Sequence, residues 1–169
     1  SNCTSLTELD VSNFDTSKVT SMQIMFSGCS SLTELDVSNF DTAYVTNMHR
    51  MFKNCSLLTS LDVSNFDTGN VTDMAGMFGS CDNLTTLTLG QDFSFVGTRH
   101  RLPTTWYLED GTQVDITTHT RTTSTTYYAE NPLVVVPTLA AGSSWWDGDP
   151  EKTATTEKTE ITQINIVDS

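Results

Sequence analysis

The sequence predicts an α/β fold in two parts: a solenoid with one parallel strand and one short helix per coil, followed by a small β-rich module. The first observation is that LDVSNFDT occurs letter for letter at residues 9–16, 35–42 and 61–68, 26 positions apart each time. The second is that the cysteines keep the same interval, at Cys3, Cys29, Cys55 and Cys81. A fixed period between about 20 and 50 residues is typical of stacked repeats. The third is that a Thr-rich composition replaces this pattern after Phe93.

Two periodicities within each repeat predict its strand and its helix. Leu35 and Val37 alternate with polar residues, which is the two-residue period of a strand with one buried face. Apolar residues then recur at intervals of three or four, at Val45, Met48, Met51, Phe52 and Cys55. That stripe is typical of a short amphipathic helix. We therefore expect one strand, one turn and one short helix in each 26-residue coil.

The repeat resembles two known kinds of sequence. The phrase L-x-x-L-x-V-x-x-F, at Leu32, Leu35, Val37 and Phe40, resembles the strand segment of leucine-rich repeats. The longer stretch LDVSNFDTSKVTSMQIMFSGCSSL resembles the 26-residue repeat of BspA-like bacterial surface proteins, and the likeness covers residues 3–89. It implies a leucine-rich-repeat-like solenoid on a cell surface, often acting as an adhesin for host matrix proteins or for other cells.

Two of the repeated columns are predicted to stabilise the fold. Equivalent residues of stacked coils lie about 4.8 Å apart with parallel side chains, an orientation that suits neither a disulfide nor a zinc site. The cysteines are therefore interpreted as buried free thiols, with disulfides and a metal site as the alternatives. Asn13, Asn39 and Asn65 are expected in the turn after the strand, where they hydrogen-bond one another or the backbone.

The outward positions of the predicted strands form acidic columns that are the first candidate binding surface. The candidate residues are Glu8, Asp10, Glu34, Asp36 and Asp62. Stacked carboxylates repel by roughly 1 kcal/mol per pair in water, so the face either binds a cation or a basic ligand or serves only to keep the sheet solvated. The predicted helix side varies between coils (Gln23–Ile24, His49–Arg50, Ala75–Gly76), as expected of a solvent face or of one that carries specificity.

The predicted domains are a solenoid over residues 1–93 and a Thr-rich β module over residues 94–169 that acts as its C-terminal cap. An open coil end needs a cover, for which Trp106, Tyr107, Tyr127 and Tyr128 are the available bulky residues. Trp145 and Trp146 form a second candidate site, because exposed aromatic rings stack on sugars. The alternative is that they pack in the core of the module.

Composition and motifs disfavour nucleic-acid binding, membrane insertion and catalysis. The net charge of −13 disfavours nucleic acid and anionic lipid as partners, and no apolar run is long enough to insert into a membrane. The three histidines form no catalytic or metal-binding spacing, so neither an enzyme nor a cofactor is expected. We expect a fragment of an extracellular adhesin that binds a host surface or matrix protein or a glycan; the alternative is a structural spacer.

The chain begins inside a repeat, so we expect further coils upstream in the native protein. An apolar edge at Leu6, Leu9, Val11 and Phe14 would then be exposed here and promote self-association.

Overall fold

The computed structural model describes residues 3–103 and 105–134, and this part of the chain contains five β-strands and no helix. The strands are β1 (Ser60–Val63), β2 (Thr86–Leu89), β3 (Thr105–Tyr107), β4 (Gln113–Asp115) and β5 (Thr125–Tyr128). They form one mixed sheet in the order β1-β2-β5-β3-β4, with β1 and β2 parallel and the other pairs antiparallel. The predicted α/β, leucine-rich-repeat-like solenoid is therefore wrong, because no repeat contains a helix.

The stretch predicted to be a strand in each repeat forms a regular strand in only part of the repeat region. β1 and β2 are equivalent stretches of successive coils, and they pair in register with Leu61 opposite Leu87 and Asp62 opposite Thr88. The equivalent stretch around Leu35 forms no strand, although its alternation of buried and exposed residues persists. The inward-facing pattern was thus predicted correctly, whereas regular strand pairing is confined to the last two coils.

The segment predicted to be helical consists of consecutive turns whose hydrogen bonds alternate in direction. In one coil, the amides of Met48, Arg50, Phe52 and Asn54 donate to carbonyl oxygens of the next coil, at Asp73, Ala75, Met77 and Gly79. The intervening amides of Met51 and Lys53 donate three residues back within their own coil. Every second amide therefore links neighbouring coils, which an α-helix cannot do because its amides bond within the helix.

Left-handed backbone conformations explain why no helix forms there. Ile24, Arg50 and Gly76 occupy the same position in successive coils, with φ of 61°, 54° and 67°. Four residues later the left-handed conformation returns at Gly28, Asn54 and Ser80, with φ of 80°, 61° and 59°. A right-handed helix tolerates no such residue in its interior. The spacing of three and four residues thus arises from four-residue turns that place every apolar residue on the inner side.

Aromatic and polar ladders run through the core along the direction of stacking. Phe26, Phe52 and Phe78 stack with ring centroids 5.7 and 5.8 Å apart and nearly parallel planes. Such offset stacking adds to the stabilisation from burial alone. The Thr42 hydroxyl donates to Asp67 O at 2.9 Å and accepts from Asp67 N at 2.8 Å. Thr16 and Thr68 make equivalent pairs of bonds to the following coil, and all three threonines are buried.

The cysteine and asparagine columns also hydrogen-bond to the backbone of the preceding coil. Cys55 Sγ donates to Phe26 O at 3.2 Å, and Cys81 Sγ donates to Phe52 O at 3.1 Å. Burial raises the pKa of Cys55 to about 12 and that of Cys81 to about 11, so both remain protonated donors at neutral pH. The prediction of buried free thiols is confirmed for Cys29 and Cys55, whereas Cys81 is half-buried and Cys3 is exposed.

The asparagine prediction is confirmed for two members of its column. Asn39 Nδ2 donates to Val11 O at 3.0 Å, and Asn65 Nδ2 donates to Val37 O at 3.0 Å and Phe40 O at 2.8 Å. These amides satisfy carbonyl groups at the turn of the preceding coil, so the column fastens one coil to the next.

Residues 105–128 cover the edge of the last coil. β5 pairs with β2 along its whole length, with Tyr127 opposite Leu87, and Tyr127 and Trp106 are fully buried. Arg121 connects this segment to the coil, donating from Nε to Gly90 O at 3.1 Å and from its terminal nitrogens to the carbonyl oxygens of Phe93 and His119. A strand edge that would otherwise present unpaired backbone groups is thereby closed.

The four residues expected to form an exposed apolar edge differ in burial. Val11 is buried, Leu6 and Leu9 are half-buried, and Phe14 is 46 % exposed. Self-association through this edge stays a prediction.

Candidate functional site

Three of the predicted strand-face carboxylates line one groove, called here the acidic groove. Glu34 and Asp36 belong to one coil and Asp62 to the next, and all three are exposed. The groove has a volume of about 360 Å³ and is completed by Leu35, Ser38, Ser60, Ser64 and Asn65. Its lining is thus negatively charged and rich in hydroxyl groups, which suits a ligand with positive charge and hydrogen-bond donors.

Each aspartate of the acidic groove is also the acceptor of a tight turn. Asp36 Oδ1 accepts from Ser38 N at 2.9 Å, and Asp62 Oδ1 accepts from Ser64 N at 2.8 Å. The Ser38 hydroxyl and then its backbone N–H hold the pKa of Asp36 below its usual value. The carboxylate is therefore ionised and fixed in orientation, two properties that a binding surface shares with a purely structural turn.

The other two predicted residues of this face, Glu8 and Asp10, lie outside the lining of the acidic groove. Both are exposed, and Asp10 forms the same turn by accepting from Ser12 N at 2.9 Å. In the other direction the acidic columns end at Thr86 and Thr88, and the Thr88 hydroxyl bonds to the Thr126 hydroxyl of β5 at 3.0 Å. The acidic surface is therefore bounded on one side by the closing strand.

The second candidate site, Trp145 and Trp146, lies outside the described residues. Within the described residues, no group of three His, Cys, Asp or Glu side chains is placed to hold a metal ion. No helix suited to crossing a membrane occurs in that part of the chain either.

A second groove, which the sequence did not single out, carries the opposite charge. Four cationic side chains line it, from Arg50, Lys53, Arg99 and Arg101. This basic groove has a volume of about 490 Å³ and is completed by His49, Ala75, Gly76, Gly79 and Ser80. The chain has only eight Lys and Arg residues, so half of its positive side chains converge here.

Three stacked backbone segments build the basic groove. The Arg50 amide donates to Ala75 O at 3.1 Å, the Gly76 amide to Arg99 O at 2.6 Å, and the Phe78 amide to His100 O at 3.1 Å. Residues 99–101 thus continue the stack beyond the last complete repeat. His100 is buried and packs on Phe95 with ring centroids 4.7 Å apart, while Arg99 and Arg101 on either side of it are exposed.

Two glycines in the middle segment of the basic groove, Gly76 and Gly79, let neighbouring side chains approach its backbone closely. A Cβ at Gly76, where φ is +67°, would lie 3.3 Å from Arg50 Cγ. A Cβ at Gly79 would lie 3.5 Å from Lys53 Cγ and 3.8 Å from Arg101 Cγ. The stems of Arg50, Lys53 and Arg101 therefore lie against the glycines of the middle segment, where Gly79 is buried and Gly76 is half-buried.

A signal for this groove was present in the sequence at the positions where the repeats differ. The variable pairs His49–Arg50 and Ala75–Gly76 both contribute to it. Sequence reasoning left open whether this variable side carries specificity. It could not add Arg99 and Arg101, because they follow the end of the repeat pattern and their place in the stack depends on the backbone path after Phe93.

The chain belongs to the family described as "Mycoplasma protein of unknown function, DUF285", whose family model matches residues 1–98. This family is associated with BspA-like surface proteins, so the resemblance seen in the repeat is confirmed at that coarser level and not for leucine-rich repeats. Comparisons with curated proteins and with solved structures gave no match.

Proposed function

We propose that this member of the family is a non-catalytic, extracellular segment of a cell-surface adhesin, which binds a host matrix protein or glycan through its repeat surface. The observation that carries the proposal is the acidic groove, in which Glu34, Asp36 and Asp62 from two coils converge on one exposed surface. The association of the family with surface proteins supports the location.

The chemistry of the groove favours a basic protein over a glycan as the partner. Exposed carboxylates steer a positively charged surface during encounter, and each contact at the rim adds only a small amount to affinity. A partner with several Lys or Arg side chains would therefore bind in a salt-dependent manner, because exposed charge pairs are screened by dissolved ions.

The test compares two triple variants that remove the same charge from different columns. The first is Glu34→Gln, Asp36→Asn and Asp62→Asn, in which the amide oxygens keep the turn acceptors. The control is Asp15→Asn, Asp41→Asn and Asp67→Asn, because these exposed aspartates accept equivalent turn bonds from Ser17, Ala43 and Gly69. Binding to immobilised matrix proteins and mucin glycans is measured at low and at high salt.

We expect the acidic-groove variant to lose about tenfold in affinity at low salt and the control variant to lose less than about threefold. Equal losses would show that net charge, rather than this groove, governs binding. Binding that survives both variants would place the site elsewhere, with Trp145 and Trp146 as the next candidates. A protein that binds nothing on the panel would favour the structural spacer, which the near-identity of the repeats supports.

A further inference from the structure

We propose that the basic groove is a binding site for small, multiply charged anions that carry phosphate or sulfate ester groups. Half of the positively charged side chains of this acidic chain lie in this groove. The chain has a net charge of −13, yet Arg50, Lys53, Arg99 and Arg101 line a single groove. A protein whose other surfaces are mainly acidic gains nothing in solubility from gathering its few cations in one place.

These four cations have no carboxylate partner within salt-bridge distance among the described residues. The contact of this kind found there joins Asp73 Oδ2 to His49 Nδ1 at 3.3 Å and involves none of the four. Four positive charges that line one groove repel one another. A multiply charged anion in the groove would relieve that repulsion.

The four cations lie on the two walls of the basic groove. Arg50 and Lys53 lie one backbone segment before the glycines, and Arg99 and Arg101 lie one segment after them. Since adjacent segments are about 4.8 Å apart, the two walls are separated by roughly 10 Å. The groove between them has a volume of about 490 Å³, which is enough for a tetrahedral oxyanion.

The side chains of the basic groove indicate which class of anion it binds. Guanidinium groups offer paired N–H donors that match the oxygen atoms of phosphate, sulfate or carboxylate. A single exposed charge pair contributes little, so a group with one charge would bind weakly. Several charges on one small molecule engage all four cations together. A long polyanion such as nucleic acid would also meet the acidic surfaces and be repelled.

The test uses two small polyanions and their uncharged parents. Inositol hexakisphosphate presents phosphate esters, sucrose octasulfate presents sulfate esters, and inositol and sucrose serve as controls. Affinity is measured by titration calorimetry with the whole chain at low salt. The variants are Arg50→Gln and Arg99→Gln, singly and together, and Lys18→Gln is the matched control, because Lys18 is exposed and does not line the groove.

We expect each single groove variant to weaken binding about threefold and the double variant about tenfold, with Lys18→Gln within about 1.5-fold of the parent protein. Binding of both polyanions would support the shared chemistry, and binding of one would identify the ester. No binding of either, or equal weakening by Lys18→Gln, would overturn the proposal. Thermal melting of every variant separates loss of the groove from loss of the fold. The acidic-groove triple variant should bind the polyanions at least as well as the parent, so this proposal and the adhesin proposal fail independently.

Discussion

Replacing Thr42 by valine tests whether the buried hydroxyl ladder holds the coils together. Thr42 is 1 % exposed, and its hydroxyl both donates to Asp67 O and accepts from Asp67 N. Valine keeps nearly the same volume but can make neither bond. Both backbone groups of Asp67 would then lose the partner that the threonine supplies.

The expected cost follows from those two groups. Both bonds are partly buried and Asp67 is an exposed residue, so water can replace them in part, and Thr42→Val should lower the free energy of unfolding by about 1–3 kcal/mol. Thr46→Val is the matched control, because Thr46 Oγ1 bonds to Thr20 O at 3.1 Å from an exposed position. Water replaces that bond, so the control should change stability by less than about 0.5 kcal/mol.

The assay is urea denaturation followed by circular dichroism, with the denaturant slope compared between variants. Thr42→Ser provides a second control, since it keeps the hydroxyl and should lose only about 1 kcal/mol for the missing methyl group. Equal effects of valine at positions 42 and 46, or a larger loss for Thr42→Ser than for Thr42→Val, would refute the reasoning.

Three further predictions follow from the backbone and from one buried histidine. Gly90→Ala should destabilise the fold by about 3 kcal/mol or more, because the added Cβ would lie 2.9 Å from a carbonyl carbon of the preceding coil and nearer still to its oxygen. The control, Gly69→Ala, should cost under about 1 kcal/mol in the same urea assay. Ile24→Gly should raise stability by about 0.5–1 kcal/mol because φ there is 61°, whereas Met25→Gly should lower it by a similar amount. Burial lowers the pKa of His100 in the folded state. The contribution of neutral His100 to stability is therefore complete above pH 6.5 and is lost as the pH falls through its folded-state pKa. His100→Gln should flatten the slope of melting temperature against pH below 6.5.

The inward-facing residues could be predicted from the sequence because stacking imposes identical environments at every level. Leu61 and Leu87 are buried neighbours in adjacent strands, Asn39 and Asn65 hydrogen-bond to the preceding coil, and Cys29 and Cys55 are buried. The threonine ladder was missed, although Thr16, Thr42 and Thr68 repeat at the same interval. A polar residue in a repeat does not reveal whether its partner is water or buried backbone.

The helix could not be excluded from apolar spacing alone. Intervals of three and four residues fit both a helix and a series of four-residue turns, since both return to the same side after that distance. The sign of the backbone angle φ distinguishes the two structures. The residues with positive φ include Ile24 and Arg50, whose residue types do not predict a left-handed conformation. Gly28, Asn54 and Gly76 gave a compositional hint, because glycine and asparagine adopt this conformation most readily, but they are divided between two positions of the repeat.

The candidate sites differ in how they relate to the repetition. The acidic groove is built from repeated positions, where Asp36 and Asp62 also close turns that the coil needs, so selection for the fold alone would keep them. In the basic groove the successive coils differ. The glycines of one coil lie against Arg50 and Lys53 of the preceding coil, and two arginines follow in a segment outside the repeat. The turn does not explain those cations, because Ile24 and Gly76 adopt the backbone conformation of Arg50 without a charge. In a chain whose repeated residues satisfy the needs of stacking, the departures from the repeat are where binding specificity should be sought first.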